Sequence, residues 1–510
     1  MITLEQKISS PNGQQPASEQ VAVENPATGK IIALLPVANP PAVAAAVQRA
    51  RAAQPGWQAM GVAGRARLLL AFRKVAMRHK GRMIATIVAE NGKPRNDALI
   101  EVLYLADTIT YYCKHAAKWL ADERVGLHLL KTKRALISYQ PFGVVGVISP
   151  WNFPLILSAG DTIPALLAGN AVVIKPSEVT PLAAMLLVEW AREAGLPENI
   201  LQVVNGYAET GTALVDNVDL IAFTGSVATG RRVAERAAQR LIPALLELGG
   251  KDPMIILKDA DLERAARAAV YGGMSNAGQL CISIERVYVE APIYDQFVAK
   301  VTEQVQKLRV GADPDGAYNV DMGPLTNANQ RAIVERQVAD ARERGATVVT
   351  GGKRGAGAGY FYEPTILTNV SDEMLVMQEE TFGPLLPIIK VADAAEAIRR
   401  ANDSPFGLSS SLWTRDVAEG ERLAGQIEAG STVVNDVVVN YLIPEVPFGG
   451  VKESGIGYRH GGAESLRRYT HPHSIIVDRF GLKREAIWFP YDKLTARLLR
   501  RVMDLLYRRG

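Results

Sequence analysis

One of the two cysteines in the chain stands where a nucleophile could face a cleft. Cys281 closes the segment NAGQLC, after Ala, Gly and Gln at the predicted end of a helix. A cysteine nucleophile needs thiolate character, which a polar and partly electropositive setting supplies. A lone cysteine is also a common small core residue, and Cys113, in the helix-like segment ADTITYYCKHAAKWL, is interpreted in that way.

The carboxylate of Glu247 is a second chemical candidate. Within LELGGK it follows the apolar residues IPALL and precedes two glycines. A carboxylate at the end of a strand, beside flexible backbone, can swing and act as a general base. A structural charge that ends a strand is the alternative interpretation.

Two further segments present polar groups at predicted turns. In PWNFP, prolines fix the backbone on both sides of Asn152, and a rigidly held amide N–H is what an oxyanion site requires. A turn asparagine is the alternative. In FTGSVATG a strand ends, Gly225 turns and Ser226 begins a helix, whose N-terminus favours phosphate. No GxGxxG is present, so the usual Rossmann fingerprint is missing.

These segments are separated by alternating strand and helix patterns. The first series contains the apolar strands GVVGVISP, AVVIKP, ILQVVNG and LIAFTGS. A second series contains PMIIL, RVYVE, ATVVTGG and STVVND, with helices predicted over 261–277 and 293–307. Strands that alternate with helices imply parallel sheets with covered faces. With 510 residues, the chain predicts two doubly wound α/β domains.

Composition excludes several classes of function. The formal net charge is +4, with basic and acidic residues intermixed, so nucleic-acid binding is not expected. Two cysteines and six scattered histidines give no zinc spacing, so no metal is expected. Two distant thiols predict a reducing, cytoplasmic compartment. The first 20 residues lack the apolar region of a signal peptide. Pro150 and Pro154 interrupt the apolar stretch 141–160, which predicts a strand, turn and helix start rather than a membrane span.

The order of the motifs carries more information than any one of them. PWNFP, KPSE, FTGS, LELGGK, NAGQLC, EETFGP and PFGG occur in this sequence order. From about residue 25 to about residue 470, the chain resembles the NAD(P)-dependent aldehyde dehydrogenase superfamily.

The resemblance implies a reaction through a cysteine thioester. Cys281 would attack the aldehyde, and the Asn152 side-chain amide and the Cys281 backbone N–H would hold the oxyanion. Glu247 would activate the water that hydrolyses the thioester. Its separation of 34 residues from Cys281 matches the family pattern. A base at this position favours hydrolysis to an acid over transfer to coenzyme A.

The resemblance also implies a nicotinamide cofactor, with NAD favoured over NADP. Lys175 and Glu178 of KPSE would meet the adenosine ribose, where a carboxylate accepts from the hydroxyls and repels a 2′-phosphate. The other contacts implied are Gly225, Ser226 and the Trp151 backbone at the pyrophosphate, and Glu380 and Phe382 at the nicotinamide ribose and ring.

The sequence departs from the family pattern at four positions. Many hydrolytic members carry a lysine where this chain has Asp161 and a glutamate where it has Arg459; the charges are a swapped pair or independent surface charges. Succinate-semialdehyde dehydrogenases hold the distal carboxylate with arginines where this chain has Gly160 and Ser275. An apolar aliphatic or aromatic aldehyde is therefore expected. The alternatives are a succinate-semialdehyde dehydrogenase and a catalytically silent structural member.

The domain boundaries follow from the same resemblance. It implies an NAD-binding domain over 1–120 and 139–246 and a catalytic domain over 247–447. It also implies an oligomerisation region over 121–138 and 448–488, with a strand at 474–478, that builds a homodimer or homotetramer. The tail 489–510 contains an amphipathic helix over 493–508. We expect the apolar half of this helix to pack on a neighbouring subunit, and contact with an anionic membrane is the alternative.

Overall fold

The structure is a computed structural model that describes residues 20–314, 316–485 and 487–508. The N-terminal stretch for which no signal peptide is predicted lies almost entirely outside these residues. The strands are β1 Gln20–Asn25, β2 Lys30–Pro36, β3 Glu123–Val125, β4 Lys133–Pro141, β5 Val144–Ile148, β6 Ala171–Lys175, β7 Leu201–Val203, β8 Leu220–Thr224, β9 Ala244–Glu247, β10 Asp252–Ile256, β11 Ile284–Glu290, β12 Thr347–Thr350, β13 Thr365–Thr368, β14 Leu385–Val391, β15 Phe406–Gly407, β16 Ser409–Trp413, β17 Ser431–Val434, β18 Pro447–Phe448, β19 Val451–Lys452, β20 Gly455–Ile456, β21 Arg459–His460 and β22 Thr470–Asp478.

The helices alternate with these strands through most of the chain. They are α1 Pro40–Ala59, α2 Gly61–Arg78, α3 Lys80–Asn91, α4 Arg95–Trp119, α5 Pro154–Ala168, α6 Leu182–Glu193, α7 Ala208–Asn217, α8 Val227–Gln239, α9 Leu262–Met274, α10 Tyr294–Gln306, α11 Ala328–Glu343, α12 Leu375–Gln378, α13 Ala394–Asn402, α14 Val417–Ala424, α15 Glu464–Arg467 and α16 Lys493–Tyr507. Short 3₁₀ turns occur at Ser275–Gly278, Ala291–Ile293 and Val439–Leu442.

The described residues divide into a large unit, within 20–120 and 140–471, and a small unit, within 121–139 and 472–508. The sequence assigned residues 448–471 to the oligomerisation region, whereas here they group with the large unit. They belong to the large unit because Leu466 and Tyr469 are buried in one of its hydrophobic cores.

The first core of the large unit surrounds a six-stranded sheet with the order β20-β9-β8-β5-β6-β7. Strands β9, β8, β5, β6 and β7 are parallel, and β20 pairs antiparallel with β9. Parallel neighbours need crossover connections, which the helices between them supply. Helix α5 is buried along its whole length. Burial of β5 and α5 accounts for the apolar composition of the stretch 141–160.

A second core surrounds a seven-stranded sheet with the order β12-β13-β14-β11-β10-β16-β17. Its strands are parallel except for β12, which pairs antiparallel with β13 at one edge. The two sheets confirm the predicted fold class of two doubly wound α/β parts. Helices α9 and α10 lie within a few residues of the predicted ranges 261–277 and 293–307.

The small unit contains a three-stranded sheet with the order β22-β4-β3 and the helix α16. Strand β22 lies at an edge of this sheet, and most of its residues are exposed. In the parts of the chain that the structure describes, no helix has the length and apolarity needed to cross a bilayer.

Candidate active site

Cys281 lies in a tightly folded loop between α9 and β11. Asn276, Ala277 and Gly278 are all left-handed, with φ of 49°, 56° and 73°. A Cβ on Gly278 would come within 2.2 Å of a backbone oxygen, so this close turn needs glycine. The buried Gln279 side chain bonds back to the Asn276 carbonyl at 2.8 Å and accepts from a backbone N–H at 2.8 Å. The segment NAGQ therefore holds the half-buried Cys281 in one place.

The amide of Asn152 is tied to this loop. Its Nδ2 donates to the Gln279 carbonyl at 3.0 Å, while its Oδ1 is buried and has no hydrogen-bond partner among the described residues. The Asn276 side chain donates to the Asn152 carbonyl at 3.0 Å. These hydrogen bonds fix Asn152 relative to the loop that carries Cys281.

A buried ion pair that the sequence did not reveal holds the backbone of Asn152 in place. Lys93 Nζ lies 2.6 Å from Glu101 Oε1 and donates to the Asn152 carbonyl at 2.7 Å. The other carboxylate oxygen of Glu101 accepts from the backbone N–H groups of Leu155 and Ile156, at the start of α5. Its position at a helix N-terminus stabilises the charge. The PWNFP segment is therefore anchored by charged groups that are completely buried.

Two cavities of the large unit meet at Cys281. Cys281, Asn152 and Leu157 line both of them. The first cavity, called here the apolar pocket, is lined mainly by aliphatic side chains, among them Ile100, Ile156, Leu280, Ile282, Val438 and Leu442.

The apolar pocket contains few groups that could hold a charged ligand. Its polar lining comprises Asp97, Tyr271, Ser275 and Tyr441 besides Asn152 and Cys281, and no lysine or arginine lines it within the described chain. There is little room for a side chain at Gly160. A Cβ there would lie 3.0 Å from the Tyr441 hydroxyl and 3.3 Å from that of Tyr104. An arginine at position 160 would therefore displace one of these tyrosines.

The second cavity, called here the cofactor cleft, brings together most of the predicted cofactor residues. It is lined by Trp151, Gly225, Ser226, Gly249, Glu380 and Phe382, among others. Ser226 caps α8 by accepting from Thr229 N at 3.4 Å, so the N-terminus of this helix opens beside the cleft. The rings of Trp151 and Phe382 meet edge to face, with centroids 5.3 Å apart.

A second buried ion pair positions Glu380 and Phe382. Lys251 Nζ lies 2.6 Å from Glu285 Oε2, and Glu285 accepts from the backbone N–H groups of Thr381 and Phe382. The Glu380 carboxylate accepts from Gly250 N at 3.0 Å. Burial raises the pKa of Glu380 to about 8. Lys251 belongs to LELGGK, yet its partner Glu285 lies 34 residues further on, so the pair was not visible in the sequence.

Lys175 and Glu178 lie outside the set of residues that line the cofactor cleft. Lys175 ends β6, and its Nζ lies 3.2 Å from Glu178 Oε2. The Lys175 side chain is buried, whereas that of Glu178 is 40% exposed. This exposed carboxylate follows the carboxyl end of a parallel strand, which is where dinucleotide ribose groups bind in such sheets.

Glu247 ends β9, as predicted, and is 4% exposed. Its Oε2 has no hydrogen-bond partner among the described residues, and its Oε1 lies 4.0 Å from Arg459 Nη1. Burial raises the pKa of Glu247 to about 8, against the opposing charge of Arg459. A carboxyl group with this pKa can take up and release a proton near neutral pH.

Arg459 and Asp161 form the swapped pair that the sequence left open. Arg459 donates two hydrogen bonds to Asp161, at 2.8 and 2.6 Å, and one to the Thr224 hydroxyl at 2.7 Å. The Tyr469 hydroxyl donates to Asp161 at 2.7 Å. Both members of the pair are buried, so they are not independent surface charges. The pair places one guanidinium nitrogen next to Glu247.

The two cysteines lie in different surroundings. Burial, and then the Glu247 carboxylate, raises the pKa of the Cys281 thiol. Cys113 lies in α4 against the first core, where its thiol bonds to the Ala66 carbonyl and burial raises its pKa to about 12. Only Cys281 lines a described cavity beside an amide and a carboxylate.

The sequence model of the aldehyde dehydrogenase family matches residues 14–475. The chain belongs to the aldehyde dehydrogenase family. This aldehyde dehydrogenase is therefore an oxidoreductase, and its cofactor cleft fits the nicotinamide cofactor of that family, with backbone N–H groups at the α8 N-terminus and aromatic rings along its wall.

Several relatives cover nearly the whole enzyme. A protein of Mycolicibacterium smegmatis, provisionally named succinate-semialdehyde dehydrogenase [NADP(+)], is 44% identical over 91% of this chain and 90% of its own. The 4,4'-diapolycopene aldehyde oxidase of a Methylomonas species is 40% identical over 96% of this chain and 91% of its own. The solved structure of a protein from Anabaena variabilis, provisionally named an aldehyde dehydrogenase, superposes with a TM-score of 0.88 at 36% identity, over 92% of this chain and 100% of that chain.

Proposed function

We propose that this aldehyde dehydrogenase oxidises an apolar aldehyde to its carboxylic acid with NAD and water, through a thioester on Cys281. The arrangement of Cys281 supports this proposal most directly. It lies where an apolar pocket and the cofactor cleft meet, bonded through its loop to Asn152 and within electrostatic range of Glu247.

In the first half of the proposed reaction, the Cys281 sulfur bonds to the aldehyde carbon after the thiol proton has passed to water. Negative charge then develops on the aldehyde oxygen, and the Asn152 amide and the Cys281 backbone N–H stabilise it. The bound nicotinamide supplies a hydride acceptor for the aldehyde carbon. Loss of this hydride leaves a thioester on Cys281.

In the second half, Glu247 takes a proton from a water molecule that attacks the thioester carbon. The carbon–sulfur bond breaks, and the thiolate of Cys281 is restored. Arg459 favours the ionised form of Glu247, and we propose it as a positioning residue for this base. In the overall reaction, aldehyde, NAD⁺ and water become acid, NADH and a proton.

The preference for an apolar aldehyde rests on the lining of the apolar pocket. A buried carboxylate needs a cation or several hydrogen bonds to offset the cost of losing water. The described lining supplies neither lysine nor arginine, and it includes the carboxyl group of Asp97. One relative is named for a diapolycopene aldehyde.

Succinate semialdehyde is the second candidate, because several relatives carry that name. Ser275, Tyr271 and Tyr441 carry the hydroxyl groups of the pocket that could bind the carboxylate of such a substrate. The lining therefore favours the first candidate.

NAD is proposed over NADP because the Glu178 carboxylate is 40% exposed and would repel a 2′-phosphate placed beside it. Lys175 is the group that would favour NADP, but it is buried and already paired with Glu178. The relatives whose names include NADP(+) make this choice a direct test of Glu178.

A subunit contact is proposed for the small unit. Strand β22 lies at a sheet edge, and most of its residues are exposed, so a second copy can extend the sheet. A homodimer or homotetramer would result.

Both cysteines are free thiols, which fits a reducing cytoplasm.

The proposed activity is tested by measuring NADH release from the purified protein with aliphatic, aromatic and carboxylated aldehydes. We expect kcat/KM to rise with chain length among uncharged aldehydes and to be lower for succinate semialdehyde. A higher kcat/KM for succinate semialdehyde than for every uncharged aldehyde would overturn the substrate proposal. Absence of NADH and NADPH production with all of them would overturn the proposed reaction itself.

A further inference from the structure

The helix α16 presents an exposed apolar face. This face consists of Leu494, Leu498, Leu499, Val502, Met503, Leu505 and Leu506, which occupy one half of the helix at 100° per residue. No residue of the helix is buried. Leu494 is 77% exposed and Leu505 is 79% exposed. Aliphatic groups of this size are stabilised by leaving water, so the face needs an apolar partner.

The segment just before the helix is apolar and exposed as well. Ile487, Trp488, Phe489 and Tyr491 are all more than half exposed, and Phe489 reaches 78%. Aromatic side chains with polar tips are characteristic of the boundary between lipid and water. Asp492 caps the helix by accepting from Thr495 N at 2.8 Å, so the aromatic residues directly precede a well-formed helix start.

The other half of α16 is strongly basic. It consists of Lys493, Arg497, Arg500 and Arg501, with Arg508 just after the helix, and its only acidic residue is Asp504. None of these five cations forms an ion pair with another described residue. Their charge is therefore available to a partner that carries negative charge.

We propose that α16, together with the aromatic residues 487–491, lies in the interface of an anionic lipid bilayer. The apolar face would enter the acyl region, and the cations on the other half would meet lipid phosphates. A second copy of this chain matches the charge pattern less well, because two equally basic helices would repel one another. Charge complementarity thus selects an anionic bilayer as the occupant.

This inference does not depend on the reaction proposed above. If the substrate class is also as proposed, binding to a bilayer would bring the enzyme to the phase in which apolar aldehydes concentrate. The binding experiment below measures lipid association alone. Its failure would leave the proposed reaction unaffected.

The test is co-sedimentation of the full chain with phosphatidylcholine vesicles and with vesicles that also contain phosphatidylglycerol. We expect binding to the anionic vesicles, weakened by added salt. Replacing Arg497, Arg500 and Arg501 together by Gln should weaken this binding roughly a hundredfold, at about fivefold for each cation. Replacing Leu498, Val502 and Leu505 together by Ser should abolish it without changing the charge.

Two controls separate lipid binding from damage to the fold. Leu241→Ser removes an apolar side chain that is 92% exposed on the large unit, and this variant should bind vesicles as the unaltered chain does. NADH production with a water-soluble aldehyde should persist in every variant.

Three outcomes would overturn the proposal. The first is no sedimentation with anionic vesicles. The second is equal binding by the Gln and unaltered proteins. The third involves a truncated chain that ends at Pro490. If this chain forms a smaller oligomer and the full chain does not bind vesicles, α16 is a subunit contact instead.

Discussion

The apolar pocket and the charged surroundings of Glu247 are both close to Cys281, yet they treat charge in different ways. The pocket lining offers aliphatic side chains and one carboxyl group, Asp97. Around Glu247 the large unit buries a complete ion pair, Asp161 with Arg459, and fixes it with two hydroxyl groups. Burying such a pair is costly, and packing alone would be served as well by apolar residues of similar size.

Proton transfer belongs to the charged surroundings of Glu247 rather than to the apolar pocket. An aldehyde that enters the apolar pocket carries no charge, so its walls need only exclude water and match its shape. Hydrolysis of a thioester requires a base that gains and loses a proton, and Glu247 has a pKa of about 8 in these surroundings.

The largest effect is expected where the two regions meet. Cys281→Ala should lower aldehyde oxidation by about 10⁴-fold or more, because no covalent intermediate can form. NAD binding, followed by equilibrium fluorescence titration, should persist. Cys113→Ala is the matched control, since its thiol faces a core and lines no described cavity. Loss of activity in the Cys113 variant but not in the Cys281 variant would refute the assignment.

The base comes next in size. Glu247→Gln should leave the first hydride transfer intact and slow hydrolysis of the thioester by about 10²- to 10⁴-fold. Rapid mixing should therefore show a burst of NADH, equal to one turnover per site, followed by a slow steady rate. A first turnover slowed as much as the later ones would instead place Glu247 in the step that forms the thioester.

Adding a cation to the apolar pocket should reverse its preference. Ser275→Arg introduces a guanidinium into a lining that has none among the described residues, next to the loop that carries Cys281. We expect the ratio of kcat/KM for succinate semialdehyde to that for an uncharged aldehyde to rise about 10- to 100-fold, the range of a charged hydrogen bond. Ser275→Gln is the control for side-chain bulk and should leave the ratio nearly unchanged.

A smaller effect is expected from the swapped pair. The cation of Arg459 favours ionised Glu247, so its removal raises the pKa of Glu247 above about 8. Since the base acts in its ionised form, hydrolysis should then require a higher pH. Arg459→Gln should shift the rising limb of the pH–rate profile by about one unit, which is a tenfold loss near neutral pH.

The controls for Arg459 distinguish an electrostatic role from a structural one. Arg459→Lys retains the charge and should restore most of the original pH profile. Asp161→Asn combined with Arg459→Gln avoids leaving a buried carboxylate unpaired, so it should fold. Its alkaline shift should be smaller than that of Arg459→Gln, because the lost charge of Asp161 raised the pKa of Glu247. An unshifted profile in a folded Arg459→Gln variant would show that Arg459 serves the fold alone.

The sequence predicted those parts of the site whose chemistry depends on local structure. Glu247 at a strand end, Ser226 at a helix start and Asn152 between prolines all occupy the places that their neighbours indicated. Short stretches determine such positions, because turn and capping preferences act over a few residues.

The supports of these residues were not predictable in the same way. In the sequence, nothing distinguishes two of the buried ion pairs from ordinary surface charges. These are Lys93 with Glu101 and Lys251 with Glu285, which become buried beneath the loops of the site only when the chain folds. Asp161 and Arg459 lie 298 positions apart, so the resemblance could show that both were unusual but not that they touch. The boundary at residue 471 likewise depends on Leu466 and Tyr469 joining a distant core.

The smallest predicted effect concerns Glu178, which lies away from both regions and should change cofactor choice without changing the reaction. Its carboxylate would accept from the ribose hydroxyls of NAD and repel the 2′-phosphate of NADP. Glu178→Ser removes the repulsion and frees Lys175, whose Nζ lies 3.2 Å from the carboxylate, to meet a phosphate. We expect the ratio of kcat/KM for NADP to that for NAD to rise about tenfold, the effect of one partly exposed charge.

Glu209→Ser, at an exposed position in α7, is the matched control. Equal kcat/KM values for NAD and NADP in the unaltered enzyme would contradict the proposed preference before any variant is made. A Glu178→Ser variant with an unchanged ratio would show that another group selects the cofactor.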